Sequence, residues 1–335
     1  MISAEGLGTE GTFSGRPKFN EDRAIYGPYE DVETRPMLGQ VNYTPMKGEH
    51  IQSAGLCATC HTLLTHHHGE RFPEQTPYLE WRNSEFNNER ESADPKKTRT
   101  CQQCHMPELP KTRIARSPNG FDFRIPEREG YRSHAFIGGN AFMLDILREH
   151  RSDLYVEAEN EQLLQMAAAT RAQLANKTAK LTISDPMLEE GVLSFEVGVS
   201  NLTGHKFPTG YPARRAWLKV EVLVGDRVVF ASGAFDDDGR IVGVVDELRV
   251  PHVRTIEEPS DVVIYEMVAN GPDRQPTTYL TKMVDRRKDT RLLPRGFDMR
   301  GPHVKDIAPG GVDGDEGCRG GGDRGACRMP LASGG

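Results

Sequence analysis

The sequence contains no uninterrupted apolar run of about 18 residues, so no segment reads as a membrane-spanning helix. Residues 1–15 lack the basic stretch followed by an apolar one that marks a secretory leader. Aromatic residues make up only 7% of the chain and hydrophobic residues 36%. That is a thin supply for 335 residues, a length that accommodates two domains. Such a composition fits an interior partly filled by bound apolar groups, or a loop-rich chain with a disordered tail, and does not choose between them. Basic excess is also missing: 42 Lys and Arg against 49 Asp and Glu give a net charge of -7. This excludes the strongly basic footprint of a nucleic-acid binder and is compatible with docking to a basic protein.

Organisation changes along the chain. Residues 1–48 are punctuated by Gly, Pro, Asn and Asp and show no sustained period. Residues 50–106 are dense in Cys and His, with one helix expected around 78–87, and 107–133 return to proline-rich irregular chain. Strong helix formers fill residues 140–175, where Phe142, Leu144, Ile146, Leu147, Leu154, Leu163, Leu164, Met166 and Leu174 fit one helix or a pair broken near Ser152 and Asp153. After Lys180 the period becomes two, in residues 181–183, 192–199 and 217–224. Gly225-Asp226 then signals a hairpin into 228–230, and 262–265 supplies a further strand. Short strands separated by turns point to an antiparallel β-sandwich.

The chemistry concentrates in two strings, Cys57-Ala58-Thr59-Cys60-His61 and Cys101-Gln102-Gln103-Cys104-His105. A c-type haem is held by two thioether bonds to vinyl groups at a fixed separation, and one turn with two intervening residues presents both sulfurs. The following His then binds iron, so C-x-x-C-H is a geometric requirement of that cofactor. Structural zinc is the rival, but zinc ribbons separate their Cys pairs by about 15–20 residues, far less than the interval from Cys60 to Cys101. A thioredoxin-like pair would need a βαβ context that neither string has. We therefore expect two covalent haem c groups, with His61 and His105 as proximal ligands. His50, His66, His67, His68, His134, His150, His205, His252 and His303 remain for the far side of iron. Three stand out: His50 just before the first string, His134 at the entry to the helical stretch, and His205 in a Gly- and Pro-flanked loop between strands. Adjacent His66, His67 and His68 cannot all face one ion and read as a solvated cluster. Cys318 and Cys327, in Gly-rich surroundings with no following His, read as unpaired or loosely bridged.

Leu56-Cys57-Ala58-Thr59-Cys60-His61-Thr62-Leu63, Thr76-Pro77-Tyr78-Leu79-Glu80-Trp81 and Cys101-Gln102-Gln103-Cys104-His105-Met106-Pro107 resemble the later part of multihaem c-type cytochromes, a group that includes hydroxylamine-oxidoreductase-like proteins. The phrases around His134 and His205 carry the likeness over about residues 20–300. The resemblance implies mostly bis-His haems with distal ligands from remote positions, and so favours His50, His134 and His205. Relatives carry further haem motifs upstream. Their absence here, the missing leader and three distal candidates for two haems lead to the expectation that the sequence begins inside a longer protein.

The expected fold is an α+β multidomain chain. It comprises a c-type dihaem domain over 1–137, mostly irregular with short helices, a helical connector over 138–177, an antiparallel β-sandwich-like domain over 178–300, and a Gly-rich disordered tail over 301–335. The expected function is extracytoplasmic electron transfer to redox partner proteins or to further haems of a longer chain. Two alternatives stay open: a multihaem oxidoreductase acting on a small inorganic nitrogen or sulfur compound, and a zinc-stabilised binding module.

Overall fold

The structure, a computed structural model, describes residues 1–114 and 125–312, together with the main chain of 322–330. Its helices are α1 (Thr34–Val41), α2 (Ala54–His61), α3 (Pro77–Arg82), α4 (Cys101–His105), α5 (Ala141–Glu149), α6 (Asn160–Lys177) and α7 (Val304–Ile307). The strands of the N-terminal part are β1 (Ala24–Gly27), β2 (Thr44–Lys47), β3 (Leu63–His67) and β4 (Glu70–Gln75). Then follow β5 (Ala179–Ile183), β6 (Met187–Glu189), β7 (Val192–Asn201), β8 (Arg215–Trp217), β9 (Val220–Val224) and β10 (Arg227–Ser232). The last are β11 (Thr255–Ile256), β12 (Ile264–Asn270), β13 (Pro276–Thr277), β14 (Asp285–Asp289) and β15 (Gly322–Pro330). Helices and mainly antiparallel sheets are thus mixed, and none of the described sheets closes on itself. No described helix is long and apolar enough to cross a membrane.

Two compact units emerge: Met1–His61 with Arg90–Lys177, and Thr62–Glu89 with Thr178–Gly335. These units do not follow the expected bounds of a haem domain over 1–137 and a connector over 138–177. Residues 62–89 leave the first unit because Phe72 packs with Met267, Ala269 and Met283 in a core of the second. Helices α5 and α6 belong to the first unit, as a pair separated near the expected break.

In the first unit, β1 and β2 pair in parallel, with Ala24 opposite Thr44. Helix α5 is capped by Asn140, whose side chain accepts from the Met143 N–H at 3.0 Å, and Arg171 of α6 pairs with Asp145 of α5. The apolar interior here is sparse. Among the described residues, its buried hydrophobic side chains are Phe13, Ile125 and Leu163 with Ala24, Ala54, Ala58, Ala141 and Ala167.

The second unit has the larger core. One sheet runs β11-β15-β7-β5, with β6 also on β7; another runs β13-β12-β14, with β8 also on β12. Val197 and Val199 of β7 share a core with Ile256, Val263, Tyr265 and Leu292. The strand expected over 217–224 divides into β8, which pairs with β12, and β9, which pairs with β10. The hairpin at Gly225 forms as read, with that glycine at φ 59°. The helix expected over 78–87 ends at Arg82, where Asn83 Nδ2 donates back to the Leu79 carbonyl at 2.8 Å.

Part of the expected tail is described. Residues 301–312 are held by polar and apolar contacts together: Arg71 forms a bidentate pair with Asp306 at 2.8 and 3.1 Å, Ile307 is fully buried, and Gly310 exchanges main-chain hydrogen bonds with Asp289. The main chain of β15 pairs with β7 and β11. The expectation of disorder over 313–321 and 331–335 lies outside the described residues.

Candidate functional site

Both C-x-x-C-H strings form helices, α2 and α4. Positions i, i+3 and i+4 of a helix share a face, so each string places its two sulfurs and its imidazole on one side. The helices start where the sequence caps them. Ser53 Oγ accepts from the Gly55 N–H at 3.0 Å. Thr100 and Gln103 form a capping box, in which Gln103 Oε1 accepts from the Thr100 N–H at 2.7 Å.

The two strings meet within the first unit. Buried Gln102, inside the second string, donates through Nε2 to the carbonyls of Ile51 and Ser53 at 3.1 and 2.8 Å, just ahead of α2. The Cys57 and Cys101 thiols influence one another, which lowers the pKa of Cys57 and raises that of Cys101 further than burial alone. All four motif cysteines are free thiols, with Cys60 and Cys104 exposed and Cys57 and Cys101 half-buried. His61 is held below its ordinary pKa by desolvation and by nearby His105.

His105 is the better fixed of the two. Its Nδ1 lies 2.5 Å from the Ile137 carbonyl, while its own carbonyl accepts from the Ile137 N–H at 2.9 Å. A carbonyl only accepts, so Nδ1 carries a proton. A second hydrogen bond of this kind orients metal-ligating histidines and raises their basicity.

The other candidates differ in setting. His50, also in the first unit, engages the Ile2 carbonyl through Nε2 at 3.1 Å and meets the Tyr26 ring edge-on at 4.7 Å. Exposed His134 contacts the rings of Tyr131 and Phe136. His205 lies in the second unit, half-buried, with Nδ1 3.0 Å from the Lys206 carbonyl, so it too carries a proton on Nδ1. His66 and His67 end β3, and His68 turns the hairpin at φ 52°. His150 closes α5, and His303 precedes α7 at 4.0 Å from Asp306. Cys318 lies outside the described residues, as does the side chain of Cys327.

The second unit holds a buried ionic cluster that sequence reasoning missed. Lys206 Nζ lies 2.6 Å from Asp289 Oδ2. Arg291 clamps both Asp289 oxygens at 2.8 Å and reaches Glu80 Oε1 at 3.3 Å. Lys206 and Glu80 are fully buried, Asp289 and Arg291 nearly so. Burial works to raise the Glu80 pKa, but Arg291, Lys206 and the Thr209 hydroxyl outweigh it and hold the carboxyl below its ordinary value. Positions up to 211 apart in sequence converge here, and in one chain they look like ordinary surface charges. Glu80 offered a faint signal, a carboxylate amid Tyr78, Leu79 and Trp81.

The residues fit haem c better than zinc. Four thiols and two imidazoles sit on two adjoining helices, in a unit whose interior is mostly alanine while Phe19, Phe136, Phe142 and Tyr155 stand exposed. Among the described residues, no three or more His, Cys, Asp or Glu side chains gather as a metal ion would require.

No family model matches the chain, and no curated protein does. Among solved structures, it is similar to a penta-heme cytochrome c552 from Thermochromatium tepidum, with a TM-score of 0.49 and 13% identity over 94% of this chain and 58% of that one. The chain therefore spans less than two thirds of the length of that protein.

Proposed function

We propose that this chain is a multihaem c-type cytochrome that transfers electrons, binding one haem through Cys57 and Cys60 and a second through Cys101 and Cys104. The observation that carries the reading is the pairing of two C-x-x-C-H helices, tied by the Gln102 amide to the Ile51 and Ser53 carbonyls. Bound haem supplies a one-electron iron couple. The chain's own residues do the rest. The four thiols anchor, His61 and His105 ligate, and the Ile137 carbonyl fixes the His105 ring. Gln102 keeps the two attachment segments side by side. His50, His134 and His205 are the proposed distal ligands. His205 shares with His105 an Nδ1-to-carbonyl arrangement, whereas His50 engages a carbonyl through Nε2.

Membership of the broader hydroxylamine-oxidoreductase-like group, on the motif strings quoted above, is part of this proposal. So is an extracytoplasmic location, where thioether formation is completed, with a redox protein or further haems as the electron partner. We also propose that the second unit is sandwich-like, since residues of β7 and β12 share one core.

The deciding experiment is export of the chain in cells equipped for haem attachment, followed by a pyridine haemochrome spectrum and intact mass. Two haems per chain are expected, with one lost in Cys60→Ala and one in Cys104→Ala. An unmodified polypeptide at these thiols would overturn the reading.

A further inference from the structure

We infer that Glu80 is a positioning residue for His205, holding the 201–210 loop so that this imidazole is presented in one orientation. The inference rests on the proposed role of His205 as an axial ligand. Glu80 belongs to α3, not to the loop, yet one carboxylate oxygen is committed to the loop on both sides of a single turn. Oε2 accepts from the Lys206 N–H at 3.0 Å and from Thr209 Oγ1 at 2.6 Å. Oε1 is held from behind by Thr76 Oγ1 at 2.9 Å and Arg291 Nη1 at 3.3 Å.

The residue after His205 is therefore pinned twice, at its N–H by Glu80 and at its ammonium by Asp289. Its carbonyl in turn fixes the His205 ring through Nδ1. On the preceding side, buried Asn201 donates through Nδ2 to the His205 carbonyl at 2.7 Å. Trp81, the neighbour of Glu80, packs so closely that a Cβ on Gly204 would lie 3.0 Å from its Cδ1. Packing alone would not call for a buried carboxylate, since apolar residues of similar volume hold two elements together at least as well. What a carboxylate adds is direction: it accepts a main-chain N–H and a hydroxyl at set angles and so fixes the register of the loop. The sequence strings around Thr76 and His205 meet at this one side chain.

The test uses the haem-loaded protein with His205→Ala, Glu80→Gln and Thr209→Val, read by low-temperature EPR and by amide hydrogen exchange. His205→Ala should turn one haem high-spin. Glu80→Gln and Thr209→Val should leave that same haem low-spin but with altered g values, and should speed exchange of the Lys206 amide about tenfold or more. Thr209→Val removes a single hydroxyl donor and serves if Glu80→Gln does not fold. Unchanged exchange, or faster exchange with the haem signal untouched, would reduce Glu80 to a structural part and overturn the inference. If instead His205→Ala leaves every iron low-spin, the ligand reading falls and the inference with it, while the exchange rates still report separately whether Glu80 holds the loop.

Discussion

Asp289→Asn and Lys206→Met remove opposite ends of one buried ion pair, and the structure implies that their costs differ widely. Asp289 receives three cations: Lys206 at 2.6 Å, Arg291 through two bonds of 2.8 Å, and Arg286 at 3.2 Å. Neutralising that carboxylate leaves buried Lys206 and Arg291 facing each other, with Glu80 as the remaining counter-charge near them. Stranding buried charge in this way costs about 3–5 kcal/mol. Lys206 is placed differently. Burial pushes its pKa from 10.5 down to about 8, with Arg291 adding to the fall and the attraction of Asp289 only partly offsetting it. A fall of that size disfavours the ammonium by about 3 kcal/mol relative to the unfolded chain. Methionine keeps the apolar stem and drops the charge, while Asp289 retains two arginines. Lys206→Met should therefore lie within about 1 kcal/mol of the parent, with either sign. Both tryptophans, Trp81 and Trp217, belong to the second unit, so their fluorescence follows its unfolding in urea. With a slope of about 2 kcal/mol/M, Asp289→Asn should lower the midpoint by about 2 M and Lys206→Met should move it by no more than about 0.5 M. Equal losses, or a larger loss for methionine, would refute this account of the cluster.

Acid should destabilise the same unit. Burial opposes ionisation of Asp289 and Glu80, but Arg291 and Lys206 outweigh it and hold both carboxyls below their ordinary 3.8 and 4.5. The unfolded chain then binds more protons at low pH, so this stability is complete above about pH 4.5 and is lost as pH falls below it. Near-UV circular dichroism against pH should show that loss, and a flat profile down to about pH 2 would contradict it. In the first unit, Gln102→Ala should cost about 1–3 kcal/mol, because the Ile51 and Ser53 carbonyls lose their donor. Intact mass should then show less doubly haem-loaded chain, and an unchanged proportion would remove Gln102 from the assembly of the site.

The motif strings were legible because their spacing is local to five residues, and their helices because Ser53, Thr100 and Gln103 are local caps. The period of two in 192–199 was likewise local and marked β7. What sequence could not give was set by distant partners. Glu80, Lys206, Asp289 and Arg291 carry charges that normally mark a surface, and only the fold shows them buried together. Residues 62–89 read as part of the Cys- and His-rich region, yet Phe72 finds its apolar neighbours beyond Met267. Residues 301–312 open a Gly-rich stretch, and a reading by composition misses order supplied by the Arg71–Asp306 pair and buried Ile307.

The two units differ in what fills them, and this predicts separate fates without cofactor. The second has clusters of Val, Ile, Met and aromatic side chains around a satisfied ionic network. In the first, Phe13, Ile125 and Leu163 are the large buried apolar side chains among the described residues. Each contributes about 1.5–3 kcal/mol, while every ordered residue of the unit carries its own entropic cost. Porphyrins at Cys57, Cys60, Cys101 and Cys104 would supply the missing apolar volume. Chain made where haem cannot be attached should therefore show fast amide exchange and protease cleavage within Met1–His61 and Arg90–Lys177, with Thr178–Gly335 still protected around β7 and β12. Uniform protection of both units in colourless protein would mean that the first unit folds on its own side chains, and the cofactor would lose its place in the interior.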